Sequence, residues 1–217
     1  MSVAKNLLLV AIDARTGRVR VVTRTVEAAL GGAALIDLVL LGRLRLEGSG
    51  RKARVEVVDR TPVPDPALQQ AFERVREQGR QTPKSTIARL GRRQRAVVLR
   101  DMEAAGTIRR QRRLVLERYD VADVVQRDDL VGRLRAVLLQ EQPADETTGP
   151  LVGLLLATGH LGIAVTDRRE LKVAKERAKV VAEGDWASEG VRGVLQDAQN
   201  AMTAVLTTGA VLSAINP

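Results

Sequence analysis

In several segments of this chain, apolar residues recur with the period of an α-helix, and short extended runs lie between those segments. Glycines and prolines mark many of the boundaries, as they commonly do at helix ends and in connectors. The predicted helices cover residues 26–41, 66–80, 83–105, 128–141, 151–157 and 167–183, another that opens at Trp186, and the uncharged stretch 200–217, which we expect to be a buried central helix.

Shorter segments predict extended structure. Residues 7–12 form a continuous apolar run, which indicates a buried strand, and residues 18–22 are expected to form a second strand after a turn. Residues 43–47 and 54–58 flank a glycine-rich turn and predict a β-hairpin. The stretch 159–165 is also expected to be extended.

The most informative segment runs from Gly91 to Asp120. Val98, Leu99, Met102 and Ala105 share one helix face, and Gly106 supplies the stop that helix C-termini commonly use. Two extended runs follow, residues 107–111 and 114–119, joined by a tight basic turn at Arg112 and Arg113. This segment therefore predicts a helix, a glycine and a β-hairpin.

The charge of the protein is concentrated in the same region. From Glu73 to Arg118 there are 14 Lys and Arg against five Asp and Glu, an excess of nine positive charges, and the whole chain also carries +9. At about 100° per residue, Arg89, Arg93 and Arg100 point away from the apolar stripe into solvent. A surface this basic predicts an anionic partner.

Arg92 and Arg95 lie together at i and i+3 on the flank of that stripe. Two adjacent guanidinium groups repel each other, so a negative group between them would relieve the repulsion. Arginine suits phosphate oxygens, because two N–H bonds can form in parallel. The alternative is that a carboxylate from elsewhere in the fold fills the gap.

Composition narrows the function classes. One Trp, one Tyr and one Phe leave an aliphatic core, which favours helix packing and disfavours single-stranded nucleic-acid binding by base stacking. No cysteine is present, and the single histidine, His160, has no acidic residue at metal-ligand spacing, so we expect it to be structural. Lys84-Ser85-Thr86 lacks the glycines of a phosphate-binding loop. No enzyme activity, metal or cofactor is predicted.

The longest apolar run near the start has six residues, and no segment approaches the roughly 20 apolar residues of a membrane span. We therefore expect a cytoplasmic protein whose membrane contact, if any, is peripheral.

Four stretches together resemble the Golgi phosphoprotein 3 family, whose domain also occurs in bacteria. They are LLLVAID at residues 7–13 with a following glycine, the block GAALIDLVLLGRLRLE at residues 32–47, the basic helix at 92–106 with its hairpin, and GDWA at residues 184–187. The similarity extends over nearly the whole chain. The composition, rich in Arg, Val and Ala, also suggests a bacterial source.

The resemblance implies a single domain over residues 1–217 that is mainly α: a central helical bundle with surrounding amphipathic helices and a protruding β-hairpin. It also implies a peripheral membrane protein that binds phosphatidylinositol 4-phosphate and the cytosolic tails of membrane proteins. The hairpin would support homo-oligomerisation and membrane contact. The hairpin residues expected to make these contacts are Arg109, Arg110, Arg112, Arg113 and Leu114.

The family's two phosphate-binding arginines align with Arg92 and Arg95. Its other two contacts, a tryptophan and an arginine, fall at Val22 and Gly31 of this chain, so both are replaced. Arg24 is the candidate substitute for the missing arginine. General binding of anionic lipid is therefore expected more strongly than recognition of one phosphoinositide.

Two other functions remain open. A helix followed by a basic hairpin is also the plan of winged-helix DNA-binding modules, although Ala96, Glu103 and Ala104 on the outward face are poor readers of base edges, and no sequence-specific nucleic acid is expected. The third interpretation is an adaptor whose basic surface holds acidic peptide tails.

Overall fold

A computed structural model describes residues 1–21, 23–48, 50–111 and 117–184, together with residues 192–193, 196, 200 and 203–204. Within these residues the protein is mainly α-helical, with two small antiparallel hairpins. In chain order the elements are α1 (Val3–Ala11), α2 (Thr23–Leu40), β1 (Leu44–Glu47), β2 (Arg54–Val57), α3 (Pro66–Gln78), α4 (Pro83–Ala104), β3 (Ile108–Gln111), β4 (Arg118–Val121), α5 (Val124–Leu139), α6 (Thr148–Ala157) and α7 (Arg168–Ala182).

Helix α2 lies at the centre of the fold and packs most extensively against α4. Their backbones approach closely, because glycines face the contact. A Cβ atom on Gly31 would lie 2.2 Å from the carbonyl oxygen of Ile87, and one on Gly91 would lie 2.2 Å from that of Glu27. Gly31 of α2 faces Ile87 of α4, and the earlier Glu27 faces the later Gly91, so the two helices run antiparallel.

The predicted strand at residues 7–12 is wrong, because residues 7–11 belong to helix α1 and Ile12 is its C-cap. Two side chains cap the first turn of α1. Ser2 Oγ accepts a hydrogen bond from Lys5 N, and the Asp37 carboxylate accepts hydrogen bonds from Val3 N at 2.8 Å and from Ala4 N at 3.2 Å. Leu7, like most of α1, is buried. A short run that is apolar on every side carries no period by which a buried helix differs from a buried strand.

Two other extended predictions are also wrong. The expected strand at residues 18–22 is reduced, in its described part, to one isolated bridge between Ile12 and Val19. The stretch 159–165 contains a 3₁₀ turn, Leu161–Ile163, which closely follows the end of α6. In the second stretch, local hydrogen bonds from Ile163 N to His160 O and from Ala164 N to Leu161 O replace a strand ladder.

The remaining elements follow the prediction closely. The first hairpin pairs Leu44 with Val57, and helices α3, α4 and α7 begin beside the capping residues Asp65, Thr82 and Asp167. Helix α5 begins at Val124, four residues before the predicted start, and Asp123 caps it. Trp186 and most of the segment 200–217 lie outside the described residues.

Candidate anion-binding site

Helix α4 separates apolar from basic side chains on opposite faces. Val98, Leu99 and Met102 are buried, as predicted, whereas Ala105 is exposed and forms the C-cap. The arginines predicted to point into solvent do so. The exposed arginines of α4 are Arg89, Arg92, Arg93 and Arg100.

Arg92 and Arg95 differ in their surroundings. Arg92 is exposed, and its side chain forms no hydrogen bond or ion pair within the described part of the chain. The Arg95 side chain is only 27% exposed, and its Nη2 atom lies 3.4 Å from Oε2 of Glu117. The internal carboxylate considered for this pair is therefore present, but it contacts Arg95 and not Arg92.

The second hairpin follows α4 directly. Gly106 ends the helix with φ of 72°, a left-handed conformation that glycine adopts readily. Ile108 pairs with Val121, and Gln111 pairs with Arg118. A two-residue turn at residues 112–113 would instead pair Gln111 with Leu114, so the predicted tight turn does not agree with this pairing. Arg112, Arg113 and Leu114 themselves lie outside the described residues.

The base of this hairpin is attached to the rest of the fold. Tyr119 N donates a hydrogen bond to Gly17 O at 2.8 Å, which joins β4 to the loop after α1. Ile108, Tyr119 and Val121 are buried in the core. The position of the hairpin relative to α4 is therefore set by packing.

Glu117 connects the hairpin to α4. Its carboxylate accepts hydrogen bonds from Arg95, from Arg110 and from the Tyr119 hydroxyl, the last at 3.2 Å. Partial burial opposes ionisation of Glu117, but the Tyr119 hydroxyl and the two guanidinium groups outweigh it, so the pKa of this carboxyl lies below its ordinary value. The sequence analysis did not identify Glu117, because its contact with Arg95 depends on the pairing of β3 with β4.

A cavity of about 110 Å³ lies between α4 and the hairpin at this point. Three arginines and two glutamates contribute to its polar lining, so positive charge exceeds negative charge by one. The lining side chains are Arg95, Ala96, Leu99, Arg100, Glu103, Arg110, Glu117 and Tyr119.

Arg24 and Arg109 complete the predicted set. Arg24 is exposed in the first turn of α2, one turn before Glu27, at the end of α2 that runs alongside the middle of α4. Arg109 is exposed on β3, and its side chain has no bonding partner among the described residues. Of the described basic candidates, the structure brings Arg95 and Arg110 together, through their shared contact with Glu117.

Other polar groups show no comparable convergence. His160 Nδ1 donates to the carbonyl oxygen of Thr158 at 2.6 Å, in keeping with the structural role expected for it. Within the described residues, no three histidine or acidic side chains are grouped so that they could hold a metal ion. No helix in this part of the chain combines the length and apolar character needed to cross a lipid bilayer.

Comparison with known proteins agrees with this architecture. No individual curated protein matches the chain. The family model described as Golgi phosphoprotein 3 (GPP34) matches residues 3–198. That match extends from the first residue of α1 past the end of α7, and it includes α4 and both hairpins. The chain therefore belongs to the Golgi phosphoprotein 3 (GPP34) family.

Proposed function

We propose that this protein is a non-enzymatic, peripheral membrane protein of the cytoplasm that binds anionic phospholipid headgroups through α4 and the β3–β4 hairpin. One observation carries the proposal. Five arginines on this surface are exposed and have no acidic partner among the described residues: Arg89, Arg92, Arg93, Arg100 and Arg109. Membership of the Golgi phosphoprotein 3 family supports a membrane-associated role of this kind.

The charge is sufficient for reversible recruitment. Each Lys or Arg near an anionic leaflet contributes about 1 kcal/mol, so five give on the order of 5 kcal/mol before the entropy of association is counted. Arg95 and Arg110 contribute less, because Glu117 already neutralises part of their charge. The surface therefore suits binding that depends on lipid charge and salt.

At the level of one headgroup, we propose that Arg92 and Arg95 hold a phosphate, with Arg24 nearby on α2. A phosphoinositide such as phosphatidylinositol 4-phosphate is the ligand that family membership suggests. Because Val22 and Gly31 replace two of the expected contacts, we expect weak discrimination between that lipid and other anionic lipids. The hairpin residues Arg112, Arg113 and Leu114 would extend the membrane contact.

An adaptor role follows from the same arrangement. A protein held on lipid through α4 leaves its other faces free, and these could bind the tails of membrane proteins or, through the hairpin, a second copy of the chain. The protein client and the oligomer are both parts of this proposal.

The test is vesicle flotation with the purified protein. Arg92→Ala together with Arg95→Ala should lower association with vesicles containing phosphatidylserine by about tenfold, because Arg92 contributes roughly 1 kcal/mol and Arg95, partly neutralised by Glu117, roughly half as much. The matched control is Arg168→Ala with Arg169→Ala. It removes the same charge from the exposed start of α7, where cations are unfavourable for the helix dipole, and should change binding far less.

Equal losses in the two double variants would mean that net charge alone acts, and the headgroup assignment would be wrong. A DNA mobility shift at physiological salt and an acidic-peptide titration test the alternatives. Sequence-dependent DNA binding without lipid selectivity would support the winged-helix function. Peptide binding without either of these would support the purely protein-binding adaptor.

A further inference from the structure

Glu117 lies where three hydrogen-bond donors converge. Arg95 comes from α4, Arg110 from β3 and the Tyr119 hydroxyl from β4, and all three donate to one carboxylate at the edge of the cavity between these elements. Two cations and a hydroxyl around one anion form a binding site for an oxyanion. In the free protein, a side chain of the protein itself supplies that oxyanion.

We propose that this cavity is a phosphate-monoester pocket, with Arg95, Arg110 and Tyr119 as its donors, and that Glu117 occupies the ligand position until a phosphate displaces it. This inference rests on the proposed function and deepens it: Arg95, paired there with Arg92, would share its phosphate with Arg110 and Tyr119. Glu117 would then set the affinity of the surface, because any phosphate must first replace it.

The chemistry favours a phosphate monoester over the carboxylate. Such a group carries close to two negative charges near neutral pH and offers three acceptor oxygens, whereas a carboxylate carries one charge and two oxygens. Three donors can therefore each meet a separate oxygen. Arg100 also lines the cavity and adds positive charge. A phosphodiester or a carboxylate headgroup lacks this match.

Glu117 can leave without unfolding the hairpin. It immediately precedes β4 and does not belong to the ladder, and its side chain is 43% exposed. Rotation into solvent would break one hydrogen bond and two partly exposed ion pairs, and such pairs contribute about 0–1 kcal/mol each. A dianionic ligand can offset a penalty of that size.

The deciding variant is Glu117→Gln, which keeps the shape of the side chain and removes its charge. With vesicles containing phosphatidic acid, a phosphate monoester, we expect this variant to bind about three- to tenfold more tightly than the wild type, as expected for the loss of two partly exposed ion pairs. With phosphatidylserine vesicles of equal surface charge, the gain should be smaller. Adding Arg110→Ala should remove the gain.

The matched control is Glu103→Gln. Glu103 lines the same cavity, but its side chain has no hydrogen bond or ion pair in the described part of the chain. Its replacement changes the net charge identically, and because it acts only through the general charge of the surface, it should tighten binding less and equally for both kinds of vesicle. Equal gains in the two variants, or weaker binding by Glu117→Gln than by the wild type, would overturn the proposal.

Calorimetric titration with inorganic phosphate separates the two sources of the ligand. Binding to Glu117→Gln but not to Glu117→Gln with Arg110→Ala supports the pocket with free phosphate as a sufficient ligand. A gain confined to phosphatidic acid vesicles supports it with the lipid headgroup as the ligand. If the wild type does not distinguish anionic from neutral vesicles, the proposed function fails, while the phosphate titration still tests the pocket.

Discussion

Asp37 shows how one residue can make the stability of this protein depend on pH. Asp37 lies near the C-terminal end of α2 and is only 7% exposed, and its carboxylate accepts hydrogen bonds from Val3 N and Ala4 N. Burial raises the pKa of this carboxyl to about 7, and the two backbone donors lower it only in part. The folded protein therefore holds a proton on Asp37 more tightly than the unfolded chain does.

The sign of the pH effect follows from that shift. Between the ordinary pKa of 3.8 and about 7, the folded state binds more protons at Asp37 than the unfolded state. The contribution of Asp37 to stability is thus fully present below pH 3.8 and is lost as the pH rises to about 7. The loss should be on the order of 4 kcal/mol. Urea unfolding of the wild type and of Asp37→Asn across this pH range measures it.

Asparagine at position 37 cannot ionise, so the difference in unfolding free energy between the two proteins reports Asp37 alone. The pKa values of Asp13, Asp59 and Asp145 are lowered, so these groups change the stability with pH in the opposite direction, but they do so equally in both proteins. A difference that stays constant across the range would mean that Asp37 titrates normally.

The surroundings of some residues in the site could be predicted from the sequence, and those of others could not. The exposure of Arg93 follows from helix angle alone, since it lies well away from Val98 and Met102 around the axis of α4. The pairing of Arg95 with Glu117 depends on hairpin register. That register is set by packing of Ile108 and Tyr119 and by the bond between Tyr119 and Gly17, contacts that no local pattern shows.

At the scale of elements, the contact between α2 and α4 makes a specific demand on two glycines. Gly91→Ala should lower the free energy of unfolding by about 1–3 kcal/mol, the range for overpacking, even though alanine favours helix by about 1 kcal/mol. The new Cβ would meet the Glu27 carbonyl oxygen at 2.2 Å, and backbone cannot move aside cheaply. Denaturant unfolding provides the measurement.

Gly132→Ala is the matched control. Gly132 is also inside a helix, α5, but a Cβ atom added there would have no neighbouring atom within 4 Å, so the same substitution should raise the free energy of unfolding by about 0.5–1 kcal/mol. If both substitutions stabilise the protein, the helices α2 and α4 are not in close contact.

The type and bounds of a helix could be predicted where the residues that cap it are close to it in sequence. Helix α4 has a capping threonine, a proline in its first turn and a terminal glycine, and its bounds agree with the prediction within one residue. Helix α1 has a local cap in Ser2, but its first two N–H groups are satisfied by Asp37, which lies more than 30 residues away. The sequence around α1 therefore could not distinguish a helix from a strand.

At the scale of the whole molecule, charge is distributed unevenly. The segment from Glu73 to Arg118 carries an excess of nine positive charges, and the rest of the chain sums to zero. Helix α4 and the start of the second hairpin belong to this segment. The exposed arginines of α4 thus form a strongly basic surface.

Binding through such a surface should weaken steeply with salt. Raising the ionic strength from about 0.1 M to about 1 M shortens the screening length from roughly 10 Å to roughly 3 Å. We expect the association constant for phosphatidylserine vesicles to fall by at least about tenfold over this range. Vesicle sedimentation at increasing sodium chloride tests this, with phosphatidylcholine vesicles as the uncharged control. Undiminished binding at high salt would point to apolar insertion instead.

The backbone contact between α2 and α4 also bears on the speed of recruitment. Because α4 is held against a buried helix, capturing a headgroup restricts only the rotamers of long side chains, at a cost of about 1–2 kcal/mol for each. No segment of the described helix has to order first. We therefore expect the association rate with a charged bilayer to be that of an electrostatically steered collision, without a slow folding step.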